Sequence, residues 1–169
     1  MLEVAVDAGE MWPATVDWEA LCEAAARAAL AHSPHTLLLD KAVTAEISVR
    51  LGDDDEVRTL NAQYRQKDKP TNVLSFPMVQ PDLIEGLANS DDGEVLLGDI
   101  ILAYGVCTAE AAEKGVAVET HATHLVVHGM LHLLGYDHGN DAEAERMEQL
   151  ERDALASLGI ADPYEVRED

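Results

Sequence analysis

A chain of 169 residues with 47% apolar side chains is long enough for one domain with a proper core, whereas two domains would be cramped. Its net charge of −22, from 11 basic and 33 acidic residues, argues against non-specific nucleic-acid binding, because phosphates are bound by Lys and Arg. The N-terminus does not resemble a signal peptide, and no run approaches ~18 apolar residues, so we expect a cytoplasmic protein without a membrane partner.

The first part of the chain predicts a strand, a helix and a second strand. Leu2–Asp7 alternates apolar and polar residues, as a strand does, and Asp17 is placed to cap a helix that ends near Ala31. The clearest pattern is Thr44–Leu51, in which every odd-numbered residue from 45 to 51 is apolar. This segment should form a strand that is buried on one face.

The middle of the chain predicts a capped helix, a short strand and a loop. Asp53 with Glu56 three positions later resembles a capping box at the start of a helix. Val73–Phe76 reads as a short strand that Pro77 stops. Residues 78–94 hold five acidic residues, one Pro and two Gly, and they predict a long acidic loop of a kind that is often functional.

The last part of the chain predicts a central strand followed by three helices. Their expected bounds are Val95–Ala103 for the strand, and about Val106 to Gly115, Val118 to Leu134 and Asp141 to Leu158 for the helices. The mixture of elements predicts a single α/β (α+β) domain over residues 1–169, with a roughly four-stranded mixed sheet packed against several helices.

Two cysteines, Cys22 and Cys107, lie inside the apolar helical patterns. They do not form a CxxC pair. We therefore expect two buried thiols in a reducing compartment.

The most informative segment is His121–His138, which holds five of the seven histidines. His128 and His132 are four residues apart, so on a helix their imidazoles share one face and can bind one metal ion. Gly135 can end the helix and let the chain return His138 as a third ligand. Three protein ligands leave one position open on a single Zn²⁺ ion, as in catalytic sites, where zinc lowers the pKa of its water to ~7.

Several neighbouring residues have two interpretations each. His124 lies one turn before His128 and either supports the site or packs inside the helix bundle. Asp137 either orients an imidazole or caps the next turn. Asp99 stands in an apolar strand and must be paired or exposed, and His121 is expected at the surface.

The spacing HxxxHxxGxxH is also that of metzincin zinc peptidases. In those enzymes a Glu follows the first histidine and acts as the general base, whereas Gly129 stands at that position here. A metallopeptidase is therefore an alternative that lacks its usual proton acceptor.

Three segments together resemble the YbeY family of bacterial rRNA maturation factors. They are HGMLHLLGYDH at 128–138, LNAQYRQKDKPTNVLSFP at 60–77 and LGDIILA at 97–103. The resemblance covers about residues 44–158. It implies an α/β fold, a zinc site on His128, His132 and His138, and a functional arginine at Arg65.

The same resemblance implies a single-strand-specific endoribonuclease that acts in 3′-end maturation of 16S rRNA and in ribosome quality control. Its partners would be single-stranded rRNA, the small ribosomal subunit and the assembly factors of that subunit. A non-catalytic assembly factor with a structural metal is the further alternative, and the charge of −22 favours it.

The chemistry of an arginine side chain agrees with a functional role for Arg65 in RNA cleavage. A guanidinium can bind two phosphate oxygens and stabilise the charge that develops during RNA cleavage. Lys67 and Lys69 follow closely and are either phosphate contacts or a solvated loop. The nucleophile, a water or an RNA 2′-hydroxyl, stays open, as do the metal identity, the cleavage position and the oligomeric state.

Overall fold

A computed structural model describes residues 2–34, 44–79, 94–137 and 139–164. In chain order its elements are β1 (Leu2–Ala8), α1 (Trp18–His32), β2 (Thr44–Gly52), α2 (Asp54–Arg65), β3 (Val73–Pro77), β4 (Glu94–Ala103), α3 (Tyr104–Lys114), α4 (Val118–Leu133) and α5 (Asp141–Ser157). The predicted α/β class with a four-stranded mixed sheet is confirmed.

The sheet has the strand order β1-β2-β4-β3. β1 pairs parallel to β2, and β2 pairs parallel to β4, whereas β3 runs antiparallel to β4 and forms an edge of the sheet. The parallel pairs need helical crossovers, which explains why a helix separates β1 from β2. The antiparallel edge strand β3 brings the segment after α2 beside β4.

The alternation predicted for β2 is present in the structure. Ala45, Ile47, Val49 and Leu51 are all buried against the helices. Ile100 and Leu102 of β4 belong to the same core as these residues, together with side chains of α1, α4 and α5. A smaller cluster on β3 and β4, which includes Leu74 and Ile101, packs against Val57 of α2.

Short polar residues begin three of the helices. The side chain of Asp17 accepts from the backbone N–H of Ala20 at 3.1 Å, and that of Asp53 accepts from Glu56 at 2.8 Å. Asn140 does the same for α5. The carboxylate of Glu56 bonds to Arg50, so the structure shows the forward half of the predicted capping box.

Helix α4 packs close to the sheet because glycine stands at two contact points. A Cβ on Gly98, whose φ is +152°, would lie 2.4 Å from the carbonyl oxygen of Phe76 and 2.6 Å from Leu133 of α4. A Cβ on Gly129 would lie 3.0 Å from Ile100. The position of α4 over β3 and β4, and with it the position of its histidines, depends on these close approaches.

Four further sequence predictions concern the start of α3, the two cysteines, the acidic loop and membrane-spanning helices. Helix α3 begins at Tyr104, two residues before the predicted start. Cys22 and Cys107 are buried free thiols, and burial raises the pKa of each to about 12. Of the predicted acidic loop, residues 80–93 lie outside the described residues. Among the helices in the described ranges, none is long and apolar enough to span a membrane.

Candidate metal centre and cleft

Helix α4 brings two of the predicted ligands together. The Nε2 atoms of His128 and His132 lie 3.0 Å apart, and both side chains are partly exposed. One turn of helix separates the two residues, which is why the rings meet. A metal ion bound at the ordinary Zn–N distance of roughly 2.0–2.1 Å could contact both nitrogens.

A buried carboxylate on α5 fixes the orientation of His128. The Nδ1 atom of His128 lies 2.6 Å from Oε1 of Glu151, whose side chain is 0% exposed. A carboxylate only accepts hydrogen bonds, so Nδ1 must carry the proton. This leaves Nε2 as the ring nitrogen that can face a metal ion, which is the arrangement that a metal-binding histidine requires.

The same contacts keep Glu151 ionised. Burial by itself would raise the pKa of this carboxyl, but hydrogen bonds from His124 and His128 and the charge of His128 outweigh burial and lower the pKa to about 2. Glu151 is therefore an anion at neutral pH, able to accept from His128.

The third predicted ligand, His138, lies outside the described residues. Accordingly, no group of three or more His, Cys, Asp or Glu suited to a metal is found within the part of the chain that is described. Two imidazoles held one helical turn apart are nevertheless a donor set that suits Zn²⁺. The prediction that His138 completes the site stays a prediction.

The two histidines line a cleft of ≈ 630 Å³ that also contains Arg65, Lys67 and Lys69. Nη2 of Arg65 donates to the carbonyl oxygen of Ser75 on the edge strand β3 at 2.8 Å. Among the described residues Arg65 forms no salt bridge. A guanidinium held by a neutral carbonyl keeps its positive charge available for an anion in the cleft.

The lysine-bearing segment after α2 is attached to that helix by Asn61. This buried side chain donates through Nδ2 to the carbonyl oxygen of Lys69 at 2.8 Å, and the backbone carbonyl oxygen of Asn61 accepts from the N–H of Lys67 at 3.2 Å. Gln66 takes the left-handed conformation that turns the chain. The structure thus brings the three basic side chains to the same cleft as the histidines.

Gly129, which stands where a metzincin has its Glu, points at the sheet. Its missing Cβ would lie 3.0 Å from Ile100 and 3.2 Å from the hydroxyl oxygen of Ser75. A longer side chain at this position would first have to displace the side chains of Ile100 and Ser75. The structure therefore has packed side chains where the usual peptidase base would begin at residue 129.

The structure places His121, His124, Asp99 and Asp137 in different surroundings. The prediction that His121 lies at the surface is wrong, because it is 3% exposed and its Nε2 lies 2.8 Å from Glu110. His124 is buried with Nε2 3.4 Å from Glu151, so it belongs to the support of the site. Asp99 is exposed and does not line the cleft, whereas Asp137 does.

Glu151 is the functional residue that the sequence analysis missed. A signal for it existed, because Glu151 stands four residues after Met147 and four before Leu155, both of which are buried. A carboxylate on the apolar stripe of a helix must find a partner in the interior. The motifs by themselves gave no indication of Glu151.

Comparison with known proteins finds similar proteins that share one name and cover nearly all of the chain. The family described as Endoribonuclease YbeY matches residues 13–159. Curated proteins named Endoribonuclease YbeY include one from Rhizorhabdus wittichii, 69% identical over 100% of both chains, and one from Sphingopyxis alaskensis, 59% identical over 97% of this chain and 98% of its own. A solution structure of a Thermotoga maritima protein is similar in fold, with a TM-score of 0.54 and 22% identity, and covers 97% of this chain and 100% of its own.

Proposed function

The chain belongs to the YbeY endoribonuclease family and is a hydrolase that cleaves RNA internally, and from this premise we propose that it is a zinc-dependent endoribonuclease specific for single-stranded RNA. We propose further that it acts in the cytoplasm on the 3′ end of 16S rRNA and in ribosome quality control. The small ribosomal subunit and its assembly factors would be its partners.

The observation that carries the proposal is the content of one cleft. His128 and His132 line it from α4, and Arg65, Lys67 and Lys69 line it from the end of α2 and the segment after it. A neutral imidazole pair suits a metal ion, and a guanidinium suits a phosphate. A phosphodiester is the substrate group that needs both.

Zinc would be held by His128, His132 and, from the sequence motif, His138. A bound zinc ion would supply Lewis acidity at the phosphate and favour deprotonation of water at neutral pH. The protein's own contribution is to hold the two Nε2 atoms close together and to orient the His128 ring, which Glu151 does through Nδ1.

Arg65 would bind the non-bridging oxygens of the scissile phosphate. Its bond to the Ser75 carbonyl aligns the guanidinium along the edge strand before substrate arrives. Charge that develops on the phosphate then meets a donor that needs no reorientation. Lys67 and Lys69 would contact neighbouring phosphates of the same strand.

The nucleophile is distinguished by the products. Attack by the RNA 2′-hydroxyl on phosphorus breaks the P–O5′ bond and leaves a 2′,3′-cyclic phosphate. Attack by water leaves no cyclic phosphate. Mass spectrometry of the cleaved ends therefore separates the two routes.

Arg65→Gln and Arg58→Gln form a matched test of the proposal. Both residues lie on α2 and both variants lose one positive charge, but Arg58 is paired with Asp68 and does not line the cleft. Cleavage of a fluorescent single-stranded RNA should fall roughly 100-fold in kcat/KM for Arg65→Gln and stay near wild type for Arg58→Gln. Equal effects of the two changes would contradict a specific role for Arg65.

The net charge of −22 had favoured an assembly factor that does not cleave RNA, but membership of the endoribonuclease family decides against that alternative. A protein that acted only in assembly would leave both single-stranded and duplex RNA intact. The proposed nuclease should cleave the single strand and spare the duplex.

A further inference from the structure

The segment after α5 folds back onto that helix and reaches the carboxylate that orients His128. We call residues 159–164 the C-terminal strap. Gly159 has φ +77°, and the N–H of Ile160 donates to the carbonyl oxygen of Leu155 at 2.9 Å. Ile160 also packs against the main core. The first half of the strap is therefore fixed by backbone bonding and burial.

Asp162 and Arg152 fix the second half of the strap. The carboxylate of Asp162 accepts from Nε of Arg152 at 3.0 Å and from the backbone N–H of Tyr164 at 2.8 Å. The guanidinium carbon of Arg152 lies 5.3 Å from the centre of the Tyr164 ring. These contacts direct the tyrosine side chain toward α5.

Tyr164 donates its hydroxyl hydrogen to Oε2 of Glu151 at 2.5 Å. The other oxygen of Glu151, Oε1, lies 2.6 Å from Nδ1 of His128. Because the carboxylate is fully buried, each oxygen needs a donor from the protein. With Tyr164 on one oxygen, the rotation of the carboxylate is set, and the second oxygen faces the histidine.

We propose that Tyr164 is a positioning residue for the metal centre, acting through Glu151 on His128, so that the C-terminal strap is part of the site. The family match ends at residue 159, so the strap contributes a contact from outside the matched region. This inference rests on the proposed zinc site. Without the tyrosine hydroxyl, Oε2 loses its donor, and only the contacts of Oε1 with His124 and His128 orient the carboxylate, so His128 is held less firmly.

Zinc binding by Tyr164→Phe tests the proposal, with Tyr104→Phe as the matched control. Tyr104 is likewise partly buried, but it packs against Trp12 far along the chain from this network. The zinc dissociation constant is measured by competition with a chromophoric chelator. Loss of a partner of a ligating histidine typically weakens metal affinity 10–100-fold, and we expect about tenfold for Tyr164→Phe and no change for Tyr104→Phe.

Two further measurements separate positioning from general stability. The metal-free variants are unfolded in urea, and the absorption spectrum of each cobalt-substituted protein is recorded. In buffer where the urea curves show both metal-free variants to be fully folded, Tyr164→Phe should alter the cobalt spectrum and Tyr104→Phe should not. Unchanged zinc affinity and an unchanged spectrum would overturn the strap's role and leave the zinc site standing. A wild-type protein that binds no zinc would overturn both.

Discussion

At the scale of a single residue, Gly129 bears on whether helix α4 can support peptidase chemistry. A Cβ at this position would lie 3.0 Å from the Ile100 side chain and 3.2 Å from the Ser75 hydroxyl, so any side chain there must shift its neighbours. Gly129→Glu would place a carboxylate in the core and should lower the free energy of unfolding by roughly 3 kcal/mol, measured by urea denaturation. The variant should gain no peptidase activity. A stable Gly129→Glu protein that cleaves casein would contradict this assignment.

His121 gives the protein a pH-dependent stability that is separate from the cleft. Burial lowers the pKa of His121, against the opposing hydrogen bond to Glu110. The unfolded chain therefore binds more protons than the folded one as the pH falls below the ordinary value of about 6.5, and stability should decrease there. Above that pH the residue is neutral in both states and contributes no pH dependence.

His121→Gln should reduce that pH dependence. Glu110 keeps a donor in the variant, because Nδ2 of Asn72 also lies 3.0 Å from it. Urea denaturation at about pH 7.5 and about pH 5.5 should show a smaller loss of stability on acidification for the variant than for the wild type. An identical loss in both proteins would exclude His121 as the titrating group.

At the scale of the elements, the contact between β4 and α4 sets the distance of His128 and His132 from the sheet. Gly98→Ala would bring a Cβ to 2.4 Å from a backbone oxygen in addition to straining a positive φ. We expect a loss of about 2–4 kcal/mol, because clash and strain add. Gly159→Ala is the control, since φ is also positive there but nothing lies within 4 Å. A smaller loss for Gly98→Ala than for Gly159→Ala would contradict the packing argument.

The elements themselves were largely predictable, and the reason is periodicity. The alternating residues of β2, the caps at Asp17 and Asp53, and the glycine end of α3 are local features, and the structure reproduces them. The helical spacing of His128 and His132 also placed them together correctly.

What could not be predicted depends on contacts between distant segments. Glu151 meets His128 across 23 positions, and Tyr164 meets His124 across 40. His121 was expected at the surface because no local pattern reveals that Glu110 lies opposite it. Such partners follow from how α3, α4 and α5 pack, which the sequence pattern of any one helix does not specify.

At the scale of the whole molecule, a net charge of −22 surrounds a cleft that carries three basic side chains. RNA should therefore contact few cations, and the salt dependence of binding should be shallow. Three contacts predict a slope of about −2 for log K against log salt concentration on a single strand. Lys67→Gln should make the slope shallower by about 0.7, measured by fluorescence anisotropy. A slope that the substitution does not change would remove Lys67 from the phosphate contacts.

The central claim is that the cleft holding His128, His132 and Arg65 is a metal-dependent centre for RNA cleavage. It is tested most directly by cleavage of a fluorescent single-stranded RNA before metal removal, after treatment with a chelator, and after zinc is returned, with folded His128→Ala protein alongside. Activity should disappear with the metal, return with about one equivalent of zinc, and stay absent in His128→Ala. Undiminished cleavage by the metal-free wild type or by His128→Ala would show that RNA cleavage needs neither the metal nor this histidine, contrary to the proposal.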